Sequence, residues 1–126
     1  MKRLFFFVAF LPLLLSGCVT VNRSVLSQER IPYPVEMMQV TVYFADDTIP
    51  THQRIAILNA RGPEDFTDES DMIDKLREEA GKLGANAIIL NELRDPGTGE
   101  RVVAAIFGGE AERRGSAIAI YIPTLP

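Results

Sequence analysis

The chain has 126 residues, with 13 Lys plus Arg against 17 Asp plus Glu and a formal net charge of −4. That length makes one domain, and an apolar content of 47% is too high for a chain that stays unfolded throughout. The acidic balance excludes a nucleic-acid binder working through a basic face, and it leaves no polybasic patch for anionic headgroups.

The first segment has the three parts of a secretory signal. Met1-Lys2-Arg3 is a short positive start, and Leu4 to Leu15 is apolar, with Phe5, Phe6, Phe7 and the run Leu13-Leu14-Leu15. Small residues, Ser16 and Gly17, then lead to Cys18. The apolar run is shorter than the roughly 20 residues that span a bilayer as a helix, so it reads as a signal peptide over residues 1–17. Leu15-Ser16-Gly17-Cys18 resembles the lipobox of bacterial lipoproteins. The resemblance implies cleavage between Gly17 and Cys18, a diacylglyceryl group on the Cys18 thiol, and acylation of the new amine in Gram-negative bacteria. Val19, rather than Asp, in the next position implies the outer membrane in such an organism. Cys18 is the only cysteine in the chain. Exported proteins normally carry paired cysteines or none, and lipidation accounts for a single one at a cleavage junction. One acyl chain holds a protein marginally, whereas two or more hold it stably. Loss of residues 1–17 takes away Lys2 and Arg3, leaving 11 basic and 17 acidic side chains and a net charge of −6.

Residues 18–35 read as a lipidated start followed by a flexible tether, because Asn22 to Arg30 shows no sustained period and Pro32 and Pro34 keep the backbone extended. The domain proper is expected over 36–126. Met38 to Phe44 alternates Val40, Val42 and Phe44 with Gln39, Thr41 and Tyr43, the period of a half-buried strand. After a turn at Asp46 to Pro50, Arg54 to Ala60 forms a second strand that Gly62-Pro63 stops. Met72, Ile73, Leu76, Ala80 and Leu83 then share one helical stripe. Asp68 or Ser70 can cap this helix, and Gly84 sits where a left-handed C-terminal residue belongs. Ala87 to Leu90 suits a buried strand. Asp95 to Glu100 reads as a turn, Arg101 to Phe107 as a fourth strand, Gly108 to Gly115 as a polar loop, and Ser116 to Ile122 as the fifth strand.

The expected fold class is α+β: a single sheet of about five strands in the order β-β-α-β-β-β, with one amphipathic helix packed on one face. The strands flanking the helix should run parallel through a crossover, and the short turns elsewhere favour antiparallel neighbours. The segment Leu76-Arg77-Glu78-Glu79-Ala80-Gly81-Lys82-Leu83-Gly84-Ala85-Asn86-Ala87-Ile88-Ile89-Leu90 resembles the helix-then-strand segment of small envelope lipoproteins, those like RcsF and the YbjQ family once labelled heavy-metal-binding. Gly115 to Ala119 is similar to the start of their last strand. The resemblance extends loosely over residues 38–122 and bears on fold, since the glycine ends a helix and the alanines let helix and strand approach. The extra cysteines that give RcsF-like sensors their disulfides are missing from this chain.

Chemistry-bearing motifs are sparse. His52 is the only histidine, so a zinc or copper site is not expected and no metal or other cofactor is assigned. The acidic run Glu64 to Asp71 lacks the spacing and glycine of an EF-hand loop and reads as a helix start and solvated face. No G-x-S-x-G or S-x-x-K motif occurs after residue 18, and no carboxylate pair stands out as acid and base, so an enzyme is not expected and no catalytic residue is assigned. Contact with other molecules remains. The strand around Ile118, Ala119, Ile120 and Tyr121 is apolar on both faces. Either it is central and covered twice, or its second face meets a protein partner or a second copy of the chain. Glu110, Glu112, Arg113 and Arg114 would set specificity beside such a surface. The leading expectation is a non-enzymatic interaction or sensory module, attached to the membrane through lipid on Cys18. A ligand- or metal-binding periplasmic module and an enzyme built around His52 are the alternatives.

Overall fold

The computed structural model describes residues 19–26 and 33–125; Gly17, Cys18 and the signal lie outside the described residues. The strands are β1 (Thr20–Val25), β2 (Thr41–Phe44), β3 (Gln53–Pro63), β4 (Ala87–Arg94) and β5 (Glu112–Tyr121). Helix α1 (Glu69–Lys82) joins β3 to β4, and helix α2 (Thr98–Phe107) joins β4 to β5. All five strands form one sheet in the spatial order β1-β3-β5-β4-β2. The chain is thus an α+β domain built on a single sheet.

Helix α1 forms where the stripe predicts it. Asp68 caps its start by accepting the Asp71 N–H at 2.8 Å, and the Asp71 carboxylate accepts the Asp68 N–H at 2.9 Å. Such a reciprocal box satisfies two donors the helix itself cannot pair. Asp71 is therefore committed to the cap. Lys75, one turn further on, pairs with Glu78 and Glu79. At the other end Gly84 takes φ 85°, and the N–H groups of Gly84 and Ala85 close on the carbonyls of Gly81 and Ala80 at 2.9 and 3.0 Å. This is the left-handed stop that a glycine makes cheaply. Met72, Leu76 and Ala80 are fully buried against Leu58, Ala60, Ile88, Ala117 and Ala119, with Ile73 and Leu83 packed at the margin. Burial of a side chain the size of Met72 or Leu76 stabilises the fold by about 1.5–3 kcal/mol.

The crossover differs from expectation in one respect. β3 and β4 both run antiparallel to β5, so they point the same way, but β5 lies between them. Small residues on β5 explain why it takes the centre, since Ala117 and Ala119 lie under α1 where larger side chains would hold the helix off. β2 pairs in parallel with β4 at the far edge rather than with its chain neighbour β3.

Two segments depart from the sequence reading. Residues 20–25, expected to be flexible tether, form edge strand β1 along β3. Val19 and Val21 pack against the core from this edge, too few apolar positions to display a strand period in the sequence. Residues 101–107, expected to be a strand, belong to α2. Both long edges of β5 are already taken by β3 and β4, and β1 and β2 close the sheet, so this segment has no interior position to fill. A helix satisfies its own backbone instead. Gly97 at its start and Gly108, at φ 72°, at its end supply the stops.

Candidate interaction surface at one end of the sheet

The strand register places four positions in one row on the face away from α1. Thr20 lies opposite Arg61, Arg61 opposite Arg114, and Arg114 opposite Arg94. The row therefore brings the start of β1, the end of β3, the start of β5 and the end of β4 to the same end of the sheet. α2 connects two of those strand ends, so it lies there too. The next row inward carries Asn22, Asn59, Ser116 and Glu92. Together the two rows floor a polar depression of about 390 Å³.

Charge at this end is close to balanced. Arg94 meets Glu100 at 2.9 Å, Arg101 pairs with Glu64, and Arg113 Nε lies 2.7 Å from Asp95 Oδ1. The Arg113 contact lies off the N–H axis and acts as an ion pair; a terminal nitrogen of the same guanidinium donates to the Thr67 carbonyl at 2.7 Å. The Arg101 hydrogen bond holds the Glu64 carboxyl below its usual range. Arg61 and Arg114 line the depressions at this end together with Glu92, Glu110 and Glu112.

α2 is attached to the body through the ion pairs of Glu100 and Arg101 and not through a packed apolar face. None of its residues is buried. Val102, Val103, Ile106 and Phe107 share one helical face and are 51%, 54%, 69% and 81% exposed. Beside them runs an open groove of about 530 Å³, lined by Val103, Phe107, Glu110 and Arg114 among others. A free apolar helical face is unusual on a soluble surface, where contiguous apolar patches mark contact sites.

The residues singled out in the sequence are dispersed. Ala119 and Ile120 are fully buried within the chain, so neither offers a surface. Ala119 faces α1, whereas Ile120 joins Ala87, Ile122, Ile49 and Leu125 in a small cluster on the other face. Ile118 and Tyr121 are partly buried and point to opposite faces. The register aligns Ile118 with Ile57, Ile89 and Tyr43, a row left partly open because the cluster shields only the Ile120 end. His52 precedes β3, at the end of the sheet away from the arginine row, and a ring nitrogen lies 2.8 Å from the Pro50 carbonyl. Among the described residues no three His, Cys, Asp or Glu side chains gather as a metal site would require. The α2 surface was missed because the sequence reading made that segment a strand. The detectable signal was the i,i+4 spacing of Val102 with Ile106 and Val103 with Phe107 between Gly97 and Gly108.

This architecture defines a class: a single-sheet α+β domain with one helix over a sheet whose last strand is central. The chain is similar in fold to the crystal structure of a Francisella virulence factor, FvfA, with a TM-score of 0.56 and 15% identity over 80% of this chain and 96% of that one. No family model and no curated protein matches it.

Proposed function

We propose that this chain is a lipid-anchored envelope lipoprotein that acts by contact rather than catalysis, held in the outer membrane and facing the periplasm in a Gram-negative cell. The observation carrying this reading is the three-part signal sequence Met1 to Gly17 followed by Cys18, one residue before the described residues begin. Lipid on that cysteine would leave the domain almost no slack, since β1 begins at Thr20. A sheet attached so directly has a fixed end toward the membrane and free faces toward partners. Labelling of cells with a radioactive fatty acid tests the anchor. The full chain should take up label, and Cys18→Ser should abolish it and leave the precursor uncut. Normal processing of that variant would sink the reading.

A further inference from the structure

We propose that α2 is a second membrane contact, lying in the headgroup region of the same bilayer that holds the acyl chains on Cys18. The proposal rests on the lipoprotein reading and extends it from an anchor to a docked orientation.

Position is the first argument. Thr20 stands in the same cross-strand row as Arg61, Arg114 and Arg94. Cys18 precedes Thr20 by two residues, and two residues reach at most about 7 Å. The anchor point is therefore tied to the end of the sheet where α2 lies. Of the ends and faces of this domain, that end must sit nearest the lipid.

Composition is the second. α2 presents Val102, Val103, Ile106 and Phe107 with no residue buried in the domain. Ten residues rise about 15 Å as a helix, half a bilayer core, so α2 can lie along the interface but not cross. Among the described residues no helix is long and apolar enough to span a membrane. A short helix of this kind buries its apolar side a few ångströms into the headgroup and acyl boundary.

Charge is the third. Arg94, Arg101 and Arg113 are matched by Glu100, Glu64 and Asp95, and Arg61 and Arg114 stand near Glu92, Glu110 and Glu112. A nearly neutral end neither attracts nor repels a membrane strongly. The contact is accordingly apolar, insensitive to salt and indifferent to anionic lipid.

The chain contains no tryptophan, so Phe107→Trp makes a single fluorescent reporter on the exposed face. The full chain carrying it is purified in detergent, the mass of the Cys18 peptide is measured, and the protein is reconstituted into phosphatidylcholine vesicles. On the proposal, emission shifts to the blue, and replacing the lipid with its brominated form removes most of the intensity. Raising the salt changes neither, and adding Ile106→Glu, at a site already exposed, reverses both. Vesicle-bound, acylated protein with water-like emission overturns the docking and leaves the lipoprotein reading standing. A blue shift that bromine does not quench, in particles of doubled protein mass, also overturns it, because a second copy then covers α2. If the Cys18 peptide carries no acyl group, the lipoprotein reading fails on its own. In that case flotation with the same vesicles and quenching by bromine support the α2 contact, and failure to float overturns it.

Discussion

Asn86 closes a two-point ring on the backbone of Ile122: its side-chain amide donates to the Ile122 carbonyl at 2.8 Å, and its side-chain oxygen accepts the Ile122 N–H at 2.8 Å. The Asn86 main chain extends the link, accepting from Thr41 N at 3.0 Å and donating to the Ile120 carbonyl at 3.2 Å. One buried residue thus joins the entrance of β4 to the start of β2 and the end of β5. Ile122 lies past the end of β5, where no neighbouring strand pairs with its backbone; Asn86 supplies the partner of its N–H, and its carbonyl accepts from both Asn86 and the Leu125 N–H, the latter at 3.2 Å.

Asn86→Ala should therefore destabilise the domain by on the order of 1–3 kcal/mol, since it orphans the buried Ile122 N–H, while the Ile122 carbonyl keeps the Leu125 N–H at 3.2 Å. Asn86→Asp keeps the size and still fails, because a carboxylate cannot donate to the Ile122 carbonyl. Urea denaturation followed by circular dichroism reads both. A midpoint unchanged in Asn86→Ala would show that water replaces the clamp at little cost.

Leu76→Ala should cost about 2–5 kcal/mol, the range for truncating a fully buried leucine. Leu76 is 0% exposed beneath β3, β4 and β5. A loss under about 0.5 kcal/mol, the level of an exposed position, would place the core on another face of α1.

The contrast between α1 and α2 explains what the sequence disclosed. In α1 several local signals agree: the stripe through Leu76, the acidic cap at Asp68 and the stop at Gly84. In Arg101 to Phe107 the signals conflict. Val102, Val103, Ile106 and Phe107 favour strands, the alanines between them favour a helix, and a short apolar run does not declare its period. Tertiary structure decides, because β4 and β5 pair with each other and leave no slot between them. β1 was hidden for a different reason: an edge strand needs only Val19 and Val21 on its core side. Of the candidate surface, Cys18 was readable as a motif. The row Thr20, Arg61, Arg114, Arg94 was not, since it exists only once four distant segments are in register.

Gly84→Ala should cost about 1–2 kcal/mol, the penalty for an L side chain in the left-handed region. The same change at Gly81 acts differently. A Cβ there would come 2.1 Å from the Val35 carbonyl oxygen, and Val35 N donates to Gly81 O at 2.8 Å. Gly81→Ala should push residues 33–36 off α1 and raise amide exchange at Val35, whereas Gly84→Ala should leave that amide protected. Equal exchange in the two variants would contradict this assignment.

Ile118 and Ile120 lie on the same face of β5 but differ in cover. Ile120 is 0% exposed beneath Ile49 and the C-terminal turn, while Ile118 sits in the partly open row with Ile57, which is 38% exposed. Ile120→Glu should unfold the domain, since it buries an unpaired carboxylate. Ile118→Glu should fold, with a smaller loss, because its carboxylate can reach water. If both variants unfold, the open row is tighter than the side-chain exposures imply. If Ile118→Glu folds and loses a crosslinked partner in cells, that row is a contact surface in its own right.

Acid should loosen α2 before it unfolds the domain. Glu64 hydrogen bonds Arg101, which lowers its carboxyl from 4.5. A depressed carboxyl contributes stability above its unfolded value and loses it as pH falls through the lower folded one. The Glu64–Arg101 link is thus intact at neutral pH and is lost as pH falls through the folded value, which lies below 4.5. Glu78 on α1 is lowered from 4.5 as well, first by Lys82 and then by Lys75, so α1 loses surface pairing over the same range. α1 keeps its buried Met72 and Leu76; α2 has no buried residue to fall back on. On the alkaline side Lys82 is raised above 10.5 by Glu79 and Glu78, so its contribution is complete below 10.5 and disappears as pH rises through the higher folded value. Hydrogen exchange across this range should show α2 amides deprotecting on acidification while those of α1 and β5 remain slow. Glu64→Gln should show fast α2 exchange already at neutral pH and a flatter response to acid. Uniform loss of protection in α2 and α1 together would mean that α2 is held by something other than its ion pairs.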